Sequence, residues 1–155
     1  MNQSKRIDPL LRRAQEHEDA VARDLAERQR LLDTHLSRLD ELRRYAEEYA
    51  NAQMAATSPA QLLNRRAFLD RLDSAVEQQQ RTVDGNREKV EAERARLILA
   101  SRDKAVLEQL AASYRAQEKV VTDRRDQREM DDIGARRSRL AQAEDQDGAD
   151  TGGRS

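Results

Sequence analysis

The chain has 155 residues, of which 38% are charged and 3% aromatic, with five Gly, two Pro and no Cys. A typical domain is about 25% charged, so too little bulky apolar material is present to fill a thick multilayer core. The 29 basic and 30 acidic residues leave a net charge of −1, which gives no general attraction to polyanions. Without Cys there is no disulfide and no thiolate chemistry, which fits a reducing compartment. Ala, Glu, Arg, Leu, Gln and Asp dominate at helical spacing, the composition of an all-α coiled coil.

In chain order, Met1 to Pro9 is polar and has no apolar h-region, so no secretory signal is read there. Asp8-Pro9 is a helix start, because the carboxylate can cap and Pro is tolerated at the first helical position. The first helix is read as 8–56. Its seam runs Leu10, Ala14, His17, Val21, Leu25, Arg28, Leu32, His35, Leu39, Leu42, Ala46, Tyr49, Gln53, Ala56. Steps of four and three alternate, except for two fours in succession at Val21 and Leu25. That predicts one stutter, which locally unwinds a left-handed supercoil. No Gly or Pro interrupts Leu10 to Ala56, so this arm is a rod of about 70 Å at 1.5 Å per residue. Acids precede bases by four at Asp19 and Arg23, Asp24 and Arg28, and Asp40 and Arg44. Such pairs read as a solvated face.

Thr57-Ser58-Pro59 is the strong stop and restart in the interior, so 57–58 is read as the tip of an antiparallel hairpin. Ser58 is the N-cap, Pro59 takes the first helical position, and Gln61 completes a capping box. The second helix is read as 59–140. One set at intervals of seven is Leu62, Leu69, Val76, Val83, Val90 and Leu97. Its companion is Arg65, Leu72, Gln79, Asn86, Glu93, Ala100, Leu107, Tyr114 and Val121, and its polar members can fix register. Asp84-Gly85-Asn86 is turn-like, but the spacing keeps its phase across Gly85, which favours a continuous helix over a break. Unequal arms imply that the second helix overhangs from about Leu110. Ala141 to Ser155 is small, acidic and Gly-bearing and is read as a disordered tail.

Chemistry is sparse. His17 and His35 both fall on the seam, about 27 Å apart along a straight helix, so they cannot share a metal within one chain. A two-stranded coiled coil offers no pocket in which a carboxylate would acquire a shifted pKa, and no Gly-rich phosphate loop is present. Arg136, Arg137 and Arg139 are followed by Glu144, Asp145, Asp147 and Asp150, without aromatic residues between the bases, so nucleic-acid binding is not expected. The longest apolar run, Leu97 to Ala100, is far too short to cross a membrane. No catalytic residue, cofactor or metal site is read from the sequence.

Surface recognition remains. Three of the four aromatic residues, Tyr45, Tyr49 and Phe68, flank the tip. Leu42, Tyr45 and Tyr49 are spaced 3 and 4, and Phe68, Leu72, Ala75 and Gln79 are spaced 4, 3 and 4, so each set shares one helix face. A turn at 57–58 sets Tyr45 beside residue 70 and Tyr49 beside residue 66. The two faces are then neighbours. Either they only close the hairpin end, or they present an apolar and aromatic docking patch.

Three stretches resemble the flagellar export protein FliJ family and, more distantly, the stalk proteins of needle-type secretion systems. They are Leu39-Asp40-Glu41-Leu42-Arg43-Arg44-Tyr45-Ala46-Glu47-Glu48-Tyr49, Phe68-Leu69-Asp70-Arg71-Leu72-Asp73-Ser74-Ala75-Val76-Glu77-Gln78-Gln79, and Arg128-Glu129-Met130-Asp131-Asp132-Ile133-Gly134-Ala135-Arg136-Arg137. The resemblance implies a non-enzymatic component of the type III flagellar export apparatus, cytoplasmic and peripheral to the inner membrane at the flagellar base. It implies association with the hexameric export ATPase and its regulator, the cytoplasmic domain of the export-gate membrane protein, and export chaperones. The family's gate-docking surface is matched by Leu42, Tyr45, Tyr49, Phe68, Leu72, Ala75 and Gln79. Arg38 stands where the family commonly has an amide, and Gln79 where a His can stand. An injectisome stalk and a generic dimerising coiled-coil scaffold are the alternatives from the residues alone.

Overall fold

A computed structural model describes residues 2–52 and 58–150. They form two helices, α1 (Gln3–Asn51) and α2 (Pro59–Asp150), with no strand among the described residues. Cross-helix contacts pair early residues of α1 with late residues of α2, and late with early, so the helices run antiparallel. By contact density the chain divides into two compact units, one of residues 11–106 and one of residues 1–10 with 107–155.

In the unit 11–106, the seam of α1 passes through Leu11, Ala14, Glu18, Val21, Leu25, Arg28, Leu32, His35, Leu39, Leu42, Ala46 and Tyr49, all buried or half-buried. These steps alternate three and four throughout, so the stutter predicted at Val21 is absent. Leu10 and His17 face solvent, and Glu18 takes the seam position instead. Apolarity alone passes over Glu18, but Lys104 of α2 meets its carboxylate at 3.2 Å. A salt bridge of this exposure adds little stability, yet a charged pair in an apolar seam selects register.

The facing seam of α2 keeps the predicted phase from Arg65 and Leu69 through Leu72, Val76, Gln79, Val83, Asn86, Val90, Glu93, Leu97 and Ala100 to Lys104. Val83 and Val21 are fully buried. Leu62, predicted to open this seam, is instead 52% exposed. The helix is continuous through Gly85, whose missing Cβ would meet nothing within 4 Å. Unbroken heptad packing on both sides of Gly85 outweighs its weak helix propensity, about 1 kcal/mol against Ala.

The second unit corrects the predicted start of the first helix. α1 begins at Gln3, and Pro9 lies inside it. The first amides of a helix have no intrahelical acceptor. Glu118 of α2 supplies one: Ser4 donates its N–H to Oε1 at 3.1 Å and its hydroxyl to Oε2 at 2.6 Å. Ile7 is buried on the same face, and Asp8, read as a cap, instead pairs with Arg115 at 3.3 Å. These contacts offset the backbone bond to Lys5 that Pro9, the seventh residue of α1, forgoes and the crowding of its ring against that carbonyl. Because α1 is longer at this end, contact reaches Glu118 rather than stopping near Leu110. Side chains from Lys119 to Gly148 are exposed, Val121 among them.

α2 continues to Asp150, past Leu140, where the sequence ends it, so helix replaces the predicted disorder over 141–150. Ala141, Gln142, Ala143 and Glu144 are good helix formers, and no Pro follows to stop them. α1 is described to Asn51, and the predicted stretch 53–56 lies outside the described residues. The predicted tip at Thr57 and the seam positions Gln53 and Ala56 lie outside the described residues, as do residues 151–155.

Candidate functional site

The candidate face forms where the end of α1 meets the start of α2. The restart of the chain is set locally, as Ser58 Oγ accepts the N–H of Gln61 at 3.2 Å and Ser58 O accepts that of Leu62 at 3.3 Å. This fixes the phase of α2, and therefore which side of its third turn carries Phe68.

From that turn, Phe68 meets both tyrosines of α1. Its ring centroid lies 4.6 Å from that of Tyr49 at an interplanar angle of 62°, and 6.4 Å from that of Tyr45 at 85°. Both are edge-to-face pairs, which place the electropositive rim of one ring on the electron-rich face of another. The two predicted half-faces are thus brought together. Tyr49 and Phe68 are half-buried, whereas Tyr45 remains 50% exposed.

The other predicted residues divide by depth. Leu72 is 8% exposed and belongs to the seam core. Leu42 and Ala75 are half-buried beside it in the periodic pattern. Gln79 turns inward: its amide donates to the backbone oxygen of His35 at 2.9 Å and lies 3.3 Å from the His35 Nδ1. With Nδ1 accepting, the imidazole proton sits on Nε2. His35 is therefore the partner of Gln79 in a polar seam layer, bounded along the helices by Leu32 and Leu39 on α1 and by Val76 and Val83 on α2. Arg38 is exposed.

Three contacts were not anticipated from the pattern. Arg65 donates to the carbonyls of Tyr49, Ala50 and Ala52 at 3.4, 3.2 and 2.9 Å. Arg43 donates to Gln80 Oε1 at 2.6 Å. Of the three i,i+4 pairs, Asp40 and Arg44 meet at 3.1 Å, but Asp24 instead reaches Arg96 of α2 at 3.9 Å. The signal for Arg65 was present in its spacing: a seam cation nearly two turns into α2 stands opposite the end of an antiparallel α1, within reach of its last carbonyls.

Beside this face, Asp40, Arg43, Arg44, Ala46, Glu47, Ala50, Asp73 and Val76 line an open groove of about 580 Å³. Its mixed charges and breadth suit a polar contact surface rather than enclosure of a small molecule. Among the described residues no cluster of three His, Asp or Glu could hold a metal ion, and no helix is long and apolar enough to cross a membrane.

A family model described as "Flagellar FliJ protein" matches residues 3–143. No curated protein and no solved structure matches the chain.

Proposed function

The chain belongs to the flagellar FliJ family, and from that premise we propose that it links the hexameric export ATPase to the export gate. Membership itself makes the protein a non-enzymatic component of the flagellar type III export apparatus. The finer roles are our reading. The face built from Leu42, Tyr45, Tyr49, Phe68, Leu72, Ala75 and Gln79 docks on the cytoplasmic domain of the gate protein. The charged, exposed stretch of α2 from Lys119 to Gly148 engages the ATPase and its regulator. Export chaperones use the same helical surface for substrate delivery. The protein works on the cytoplasmic side of the inner membrane at the flagellar base.

The edge-to-face cluster of Tyr45, Tyr49 and Phe68 carries this reading. Tyr49 belongs to the seam, but Tyr45 lies off it and keeps half its surface exposed, and a half-exposed aromatic beside a packed seam is what interface anchors are made of. The heptad positions of each helix in 11–106 are already filled by the other helix, which disfavours the dimerising scaffold. The family description favours the flagellar over the needle-type system.

The test is a pull-down on the purified cytoplasmic domain of the export gate, with circular dichroism on the same samples. Tyr45→Ala and the pair Phe68→Ala with Leu72→Ala are compared with the native chain. Lost capture by Tyr45→Ala with full helicity supports docking. Capture that falls only when helicity falls means that the face merely closes the helix pair.

A further inference from the structure

Arg65 stands at the first seam layer of α2, three residues before Phe68, so both lie on one helix face. Its Nη2 points at the oxygens of Tyr49, Ala50 and Ala52, at 3.4, 3.2 and 2.9 Å. α1 ends at Asn51. The last four carbonyls of a helix have no intrahelical donor and carry the negative end of the macrodipole. A half-buried guanidinium therefore satisfies two of them, Tyr49 and Ala50, and the carbonyl of Ala52 just past the helix, with a full positive charge. One of the three acceptors is the backbone oxygen of Tyr49, whose ring packs on Phe68 at 4.6 Å.

The same side chain thus ties the backbone that bears Tyr49 to the turn that bears Phe68. Helix ends fray, and the half-buried Tyr49 sits in the last turn. Without a donor across the gap, that turn unwinds and carries Tyr49 off the Phe68 ring. Phe68 is rooted in a helix that starts on its own cap at Ser58, so its half of the face stands without the clamp. The Tyr49 half relies on the clamp to hold its last turn in place.

We propose that Arg65 is the positioning residue of the docking face: its three-carbonyl clamp sets Tyr49 against Phe68 before any partner arrives. This rests on the docking reading above. A preset aromatic cluster spares the partner the ordering of a frayed turn, so the clamp acts on affinity through preorganisation.

The experiment uses the full chain and the purified gate domain. Arg65→Gln, Arg65→Lys and, as control, the exposed neighbour Arg66→Gln are compared by amide exchange at residues 48–52, by Tyr49 and Phe68 ring-current shifts, and by affinity. Arg65→Gln is expected to speed exchange there, collapse the ring shifts and weaken gate binding about tenfold, the size of one charged hydrogen bond. Arg65→Lys keeps the cation but not the reach and recovers part of each effect. Arg66→Gln changes none. Adding Gly85→Ala to Arg65→Gln restores global stability without restoring the clamp, and binding stays weak.

Unchanged exchange and ring shifts in Arg65→Gln overturn the proposal. So does a loosened tip that binds as tightly as the native chain, or binding that returns with Gly85→Ala. If the native chain itself does not bind the gate domain, the docking reading falls. Exchange and ring shifts then still decide whether Arg65 places the rings.

Discussion

Leu72 and Tyr45 belong to the same candidate face but are held by different forces. Leu72 is 8% exposed and Tyr45 50%. Truncating a buried leucine loses its transfer energy and leaves a cavity, so Leu72→Ala is expected to lower stability by about 2–3 kcal/mol, seen as a lower urea midpoint. Tyr45→Ala gives up an edge-to-face contact and about half a ring of burial, about 1 kcal/mol or less. It should nonetheless weaken gate binding more than Leu72→Ala does once both are measured well below their unfolding transitions. Equal stability losses would show that Tyr45 is as structural as Leu72.

At the scale of elements, α1 depends on α2 for both of its ends. Arg65 of α2 serves the carbonyls that end α1, and Glu118 of α2 serves the amides that begin it. The Ser4 hydroxyl first, and then the Ser4 N–H, hold the Glu118 carboxyl below its ordinary value of 4.5. Burial opposes them and nearby Arg115 assists them. A carboxylate depressed in the folded state favours folding above its unfolded value, and that contribution is lost as pH falls through the depressed one. The first turns of α1 should therefore fray below about pH 4.5, visible as faster amide exchange at Ser4 to Asp8. Glu118→Gln should remove that pH step and leave the ends frayed at neutral pH as well. In the middle of α2, Gly85 has open space where a Cβ would stand. Gly85→Ala should raise stability by about 1 kcal/mol, read as a higher melting temperature. An unchanged or lower one would mean that Gly85 is not in regular helix in solution.

For the whole molecule, the exposed part of α2 separates two partner roles. Deleting residues 122–155 removes side chains that are all exposed where described, so the helicity of 11–106 should survive. ATPase capture should be lost while gate-domain capture stays within about twofold, a change of under 0.5 kcal/mol. Loss of both would mean that the two surfaces are not independent. The native chain should sediment as a 17.8 kDa monomer, since its seams are filled from within.

The sequence by itself determined the all-α class, the two antiparallel helices, the restart at Ser58-Pro59, the phase of α2 across Gly85 and the meeting of Tyr45 and Tyr49 with Phe68. Those features follow from spacing along one helix or from a single turn, and both are local. Tertiary structure decided the rest. It moved the seam from His17 to Glu18 because Lys104 stands opposite. It started α1 at Gln3 because Glu118 receives Ser4, and it turned Gln79 inward onto His35. In each case a polar residue finds its partner on the other helix. The identity of that partner depends on register, which no single helix contains.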